Sequence, residues 1–399
     1  MPDLNLDYDY LEETLLQLLA IPSPVGLTDA VARYTASQLE AMNIPYEMTR
    51  RGAIRATLKG REPRPARAIV AHLDTLGAMV RELKPNGRLG IVPIGHWSSR
   101  FAEGGRLTVF TDKRQVRGTC LPLKTSGHAF GDAIDTQPSS WDHVEVRVDV
   151  PARNAMDLEV AGLRVGDFIA FDPNPEICPS GYITSRYLDD KAAVAALLTA
   201  CKAVQDGALV PPVDVHPLFT ITEEVGSGAS AALHGDIAEM LSLDIAIAAP
   251  GQNTDEQAVT ICMQDMSGPF DYHLTRKLIG IAEKYNISHR RDVFRFYRSD
   301  SAAAVEAGND IRTALIGFGA DASHGYERTH RGALVALARL TTRYLLSKPV
   351  ARRDVSMMAS LDGFTEQIRP EDMSLPSTPL PTPGDFLGSD PERDEVTQD

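Results

Sequence analysis

Phe219-Thr220-Ile221-Thr222-Glu223-Glu224-Val225-Gly226 is the stretch whose reading decides the fold class. Phe219, Ile221 and the preceding Leu218 suit a buried strand, and the paired acids fall where that strand runs out into a glycine turn. Open α/β proteins place their ligands at such carboxyl ends, where one acid can hold a cation while its neighbour handles a proton. An isolated Glu-Glu is more often a pair of solvated loop acids, so its company decides. That company is His72, Asp74, Asp189, Asp244 and His324, each expected at a strand or helix end.

Working outward, 68–71 reads as a buried strand that delivers His72. Asp74 follows two residues on, a spacing that puts both side chains on one side of an extended chain and lets the acid hold the second ring nitrogen. Another strand, 183–188, leads to Asp189-Asp190 and then an alanine-rich helix from Lys191. An N-cap or first-turn role accounts for Asp190 by itself, whereas Asp189, at the junction, is better placed to bridge two cations. Asp244 lies between apolar 240–243 and apolar 245–249, so it either ends or begins a strand. Strands are expected near 293–297 and 312–318, the second leading to His324 between Ser323 and Gly325. Helical spacing of Tyr10, Leu11, Leu15, Leu18 and Leu19 predicts an opening helix, and Thr28 is a candidate N-cap for the next. Further helices are expected over 275–285 and 332–347.

Between 77 and 172 the texture changes to short β segments at 107–111, 144–150 and 168–171, separated by glycine, proline and polar turns. The predicted organisation is a discontinuous α/β domain, 1–76 and 173–350, interrupted by a small β domain whose root borders the site. That insert either shapes substrate access or mediates assembly. The acidic, proline-rich stretch 351–399 reads as a disordered tail.

Acids outnumber bases by fourteen over 399 residues, which argues against nucleic acid or an anionic membrane as partner and favours a cationic cofactor. No apolar run reaches membrane-span length, and the acidic N-terminus is unlike a secretory signal, so a cytoplasmic protein is expected. Cys120, Cys178, Cys201 and Cys262 show no C-x-x-C spacing, which leaves no sign of a thiolate zinc site. Two histidines with several carboxylates suit a pair of divalent ions such as zinc, cobalt or manganese. Such a pair can share and acidify one hydroxide, with Glu223, beside ligand Glu224, as the base that moves the proton.

Ala71-His72-Leu73-Asp74, Leu188-Asp189-Asp190-Lys191, Thr222-Glu223-Glu224-Val225-Gly226, Leu243-Asp244 and Ser323-His324-Gly325 resemble, in order and separation, the tetrahedral aminopeptidases, peptidase family forty-two. The likeness spans about residues 8–348. It implies a mixed-sheet α/β/α metallopeptidase domain with an inserted PDZ-like β-barrel that pairs subunits, and dimers that build hollow dodecamers. It also implies that His72 and Asp244 complete one metal position beside a bridging Asp189, and that Glu224 and His324 complete the other. Glu223 is then the general base and Asp74 supports the ligands from behind.

Lys191 stands where those relatives usually have arginine. The segments Gly268-Pro269-Phe270-Asp271-Tyr272-His273, Tyr297-Arg298-Ser299-Asp300 and Asp321 to His330 resemble the branch associated with the osmoprotectant N-acetylglutaminylglutamine amide. Arg298, Arg328 and His330 either bind an acidic peptide end or form structural ion pairs, and Asp300 is a candidate N-cap. The expected activity is dinuclear aminopeptidase action on short peptides or a dipeptide-like osmolyte. The alternatives are an amidohydrolase acting on N-acylated compounds and, behind it, a non-catalytic binding protein of the same fold.

Overall fold

Four parallel strands organise the chain: Val213–Thr220, Glu62–His72, Ile237–Ile247 and Arg312–Asp321, adjacent in that order. Apart from Arg67 and His216, their middle residues are apolar or small, and nearly all are buried, as a parallel sheet covered by helices requires. Along Glu62–His72, Ile69 and Ala71 join the cluster that contains helix residues Leu197 and Leu337, whereas Ala68 and Val70 face Ala229 and Ala304. Alternate residues therefore bury against different layers. The register sets Thr220 opposite His72 and Asp244 opposite Gly317, so the carboxyl ends line up along one edge. Antiparallel strands extend this to a mixed sheet of twelve among the described residues. The computed structural model describes residues 4–233, 235–365 and 367.

Helix Tyr8–Ala20 starts where the Asp7 carboxylate accepts the Tyr10 N–H at 3.0 Å, and it buries Leu11, Leu15, Leu18 and Leu19 as its spacing predicts. It packs on Leu188–Asp206, which lies against the central strands and the closing helix Arg331–Leu345. Thr28 precedes helix Asp29–Ala41, but its side chain makes no capping bond. Among the described residues, no helix is long and apolar enough to cross a membrane.

From His72 the chain passes through Leu73–Leu76 directly into a closed antiparallel barrel of six strands. These are Gly77–Leu83, Leu89–Ile94, Val144–Val148, Gln115–Pro122, Arg106–Phe110 and Phe168–Phe171, in spatial order.

Three local expectations change. Asp244 neither ends nor begins a strand but sits within Ile237–Ile247. The strand expected at 293–297 is His289–Val293, a largely polar edge strand beside Val259–Asp265. Phe294 and Tyr297 are apolar because they pack on Ala246, Cys262 and Leu315, not because they alternate along a strand. Asp300 begins helix Asp300–Glu306, but Ser299 is its N-cap. Past residue 350, Arg352–Val355 forms a short 3-10 helix, and Asp354 pairs with Arg312 at 2.7 Å. The rest of the expected tail, 366 and 368–399, lies outside the described residues.

At the opposite end of the sheet, Arg67 and Glu239 form a buried ion pair at 3.1 Å, and the Tyr344 hydroxyl donates to Glu239 at 2.8 Å. Lys277 is the odd member, 3.9 Å from Glu239. Burial pushes its ammonium down from 10.5 to about 8, against the pull of Glu239. The folded state therefore gives up this proton at lower pH than the unfolded chain does. Its penalty is full below pH 8 and fades toward pH 10.5. Lys277→Met is expected to stabilise the protein by about 1–3 kcal/mol near neutral pH, a gain that vanishes at high pH. Urea unfolding of both proteins near neutral and at high pH checks this, and a pH-independent difference would contradict it.

Candidate metal centre

The aligned strand ends meet the start of helix Leu188–Asp206, and there two histidines face several acids. His72 Nδ1 lies 2.9 Å from the main-chain oxygen of Asp74. A carbonyl oxygen only accepts, so Nδ1 carries the hydrogen and Nε2 is the atom turned to the cluster. The Asp74 carboxylate itself is 3.8 Å from Nδ1 and does different work. Its two oxygens accept the N–H groups of Glu223 and Glu224, at 3.2 and 3.1 Å, fixing the turn that bears both acids. Asp190, which an N-cap role would have explained, instead accepts the His72 N–H at 3.1 Å.

His324 repeats the arrangement. Its Nδ1 donates to the His96 main-chain oxygen at 2.7 Å, leaving Nε2 3.4 Å from both Asp189 and Glu224. Asp189 stands between the rings: Oδ1 is 3.1 Å from His72 Nε2 and Oδ2 is 3.4 Å from His324 Nε2. Glu223 reaches within 3.8 Å of His72 Nε2. Three sets of ligand atoms each lie within 4.8 Å of one another: His72, Glu223 and Asp244; His72, Asp189 and Glu224; Asp189, Asp190 and Asp244. The structure thus gathers His72, Asp74, Asp189, Glu223, Glu224, Asp244 and His324 in one place.

Three neighbours escaped sequence reasoning in these roles. Glu327 is 2% exposed and accepts the N–H groups of Asp189 and His324. Asp300 accepts the Thr220 hydroxyl at 2.7 Å and the Ala229 N–H at 2.5 Å, just behind the Glu223 turn. A Cβ on Gly228 would lie 2.2 Å from the Asp300 carboxylate, so only glycine allows that approach. The Tyr297 hydroxyl donates to the Ile245 carbonyl at 3.0 Å, beside Asp244. All three lie in the stretches 297–300 and 321–330 that stand out in the sequence, but nothing local marks their partners.

The crowding of acids shows in their titration. Burial raises the Glu223 and Asp244 carboxyls well above the usual carboxylate range, and neighbouring acids add to the rise. Burial likewise raises Glu224, to about 8, although His324 pulls it down. His324 is pushed up to about 11 because Glu224 and Asp189 outweigh its burial. Buried acids in such excess over two imidazoles are compensated when divalent ions sit among them, and both Nε2 atoms already point inward. The residues present fit that role.

Residues 52–340 match the family described as M42 glutamyl aminopeptidase. YhfE of Bacillus subtilis (strain 168) is 40% identical over 339 residues, covering 85% of this chain and 98% of that protein. The chain belongs to peptidase family M42. It is accordingly an aminopeptidase, of a family that depends on metal. Lysyl aminopeptidase of Pyrococcus furiosus is 28% identical over 179 residues, 44% of this chain and 48% of that one. The TET aminopeptidase from a marine-sediment Thaumarchaeota archaeon shares the fold, with TM-score 0.79 at 20% identity over 87% of this chain and 98% of that one. Pyrococcus horikoshii TET1 peptidase, which can assemble into a tetrahedron or a large octahedral shell, gives TM-score 0.75 at 22% identity, over 85% of this chain and 100% of that one.

Several positions set apart by sequence take structural partners in this M42 chain. Lys191 is buried, its Nζ donating to the Ile21 carbonyl at 2.6 Å. Arg298 makes two bonds to Glu306, at 2.9 and 2.7 Å. Arg328 pairs with Glu256 at 2.7 Å and stacks on Tyr182 at 3.8 Å. His330 caps the closing helix by accepting the Gly332 N–H at 2.9 Å.

Proposed function

We propose that the cluster holds two divalent cations, zinc or cobalt with manganese as a further candidate, and that the chain hydrolyses the N-terminal bond of short peptides or a dipeptide-like osmolyte. The carrying observation is that the two oxygens of Asp189 each face the Nε2 of a different histidine, at 3.1 and 3.4 Å. On this reading Asp189 is shared. His72 and Asp244 hold one ion with it, and Glu224 and His324 hold the other. Ions held there would polarise a carbonyl and acidify water. Glu223 then takes the water's proton and hands it to the departing amine, while Asp74 keeps Glu223 and Glu224 in place through their main chain.

Self-association belongs to the same reading. Pyrococcus horikoshii TET1 forms dodecamers and larger shells, and the insert of this chain leaves Met156, Val160 and Val165, on and after its helix Ala155–Val160, 72, 85 and 64% exposed. The lysyl and glutamyl names among the relatives differ, so they support no single side-chain preference.

An amidohydrolase acting on N-acylated compounds would use similar chemistry. A free-amine dipeptide amide is expected to be cleaved at least about 100-fold faster than its N-acetylated form, measured as kcat/KM, because a site that reads a free amine by polar contacts rejects a blocked one by two or more orders of magnitude. Cleavage of the blocked compound alone would replace the aminopeptidase reading with the amidohydrolase one.

A further inference from the structure

Glu327 is a buried acid to which the reaction assigns no part. It lies on the short strand Glu327–His330, where Ser185↔Glu327 pairing sets it beside the segment that leads to Asp189. Its Oε2 accepts the Asp189 N–H at 3.0 Å, and its Oε1 accepts the His324 N–H at 3.2 Å. Among the described residues it has no lysine or arginine in an ion pair, so a structural salt bridge does not account for it.

The two main chains it joins come from different elements, one at the start of a long helix and the other in a turn after Arg312–Asp321. The side chains of those two residues face each other at 3.4 Å. His324 is held at φ 59° and Ala322 at φ 64°, left-handed conformations that residues with a Cβ rarely adopt. A turn of that kind needs an outside hold, and the Glu327 carboxylate supplies one. Only an acid suits both bonds: a carboxylate has acceptors alone, whereas a glutamine would turn its NH2 group toward one of the two N–H donors.

We propose that Glu327 is a positioning residue for the cation site, clamping the main chains of Asp189 and His324 so that their side chains are set for one ion. The inference rests on the metal-site reading above and adds a residue outside the ligand set. It parallels the hold of Asp74 on Glu223 and Glu224, with one acid behind each side of the cluster.

The test measures zinc affinity, by competition with a chromophoric chelator, on metal-stripped full-length protein carrying Glu327→Gln, Glu327→Asp or no change. Glu239→Gln serves as control, since Glu239 is a buried acid with structural partners at the far end of the sheet. Glu327→Gln is expected to weaken zinc binding about 10–100-fold, the usual cost of losing a partner that orients a ligand. Glu327→Asp, which keeps the charge and can reach only one donor, should fall between it and the parent. Glu239→Gln should lower the melting temperature and leave zinc affinity unchanged. Folded Glu327 variants that bind zinc like the parent overturn the clamp and leave the metal reading standing. Loss of folding in both Glu327 variants also overturns it, because the acid would then serve the fold. A parent protein that binds no zinc, cobalt or manganese sinks the metal reading itself.

Discussion

Glu223→Gln is expected to lower kcat by about 10²–10⁴-fold, the range for removing a positioned general base, while the divalent-ion content stays at the parent's level. The substitution keeps the side chain's size and leaves its N–H bond to Asp74 in place, at 3.2 Å. What it removes is the ability to take a proton. The contrast with Glu224 is geometric: Glu224 lies 3.4 Å from His324 Nε2, whereas Glu223 is 3.8 Å from His72 Nε2. Glu223 nevertheless shares a 4.8 Å group with His72 and Asp244, so a ligand role is the competing assignment. Elemental analysis beside the rate measurement separates the two. If bound metal falls along with activity, Glu223 is a ligand and the base lies elsewhere; if activity survives, it has neither role.

The residues that face the cluster were legible because they occupy positions where burial alone would place apolar side chains. A histidine after 68–71, and paired acids after Phe219 and Ile221, break an apolar pattern at the point where a strand should end. Asp244 was harder, since it lies inside a strand with apolar residues on both sides, and nothing local says which way it faces. The supporting acids were least legible. Asp190 and Asp300 stand at helix starts, where an acid is ordinary, and their actual bonds reach residues 118 and 71 or 80 positions away. The contact of Asp74 with Glu223 is likewise a matter of strand register, Thr220 opposite His72, which no local pattern encodes. The barrel showed as a change of texture, but its closure depends on pairings such as Ala78↔Ile169 across the whole insert. The segment 293–297 misled because apolar residues that pack from a loop look like a strand when read along the chain alone.

Asp189→Asn should be the most damaging exchange in the ligand set. Asp189 is the residue whose two oxygens face both rings, at 3.1 Å from His72 and 3.4 Å from His324. An asparagine offers one acceptor and one donor there, so it can serve one side of the cluster and must turn an NH2 group toward the other. On the proposed two-ion reading, loss of this carboxylate weakens both ion positions, whereas His324→Ala or Asp244→Ala weakens one. The expected outcome is a fall in bound metal and a rate loss on the order of 10²–10⁴-fold, corresponding to several kcal/mol of lost charge stabilisation. Chelation of the parent protein should give the same loss, and added zinc or cobalt should reverse it in the parent but not in the variant. The fold should survive, since the Asp189 N–H still bonds to Glu327 at 3.0 Å and the surrounding helix is held by apolar contacts. An Asn variant that keeps full metal content and rate, or a parent that stays active through exhaustive chelation, would remove Asp189 from the centre of the mechanism. In the second case the convergence of these acids and histidines would need another cause.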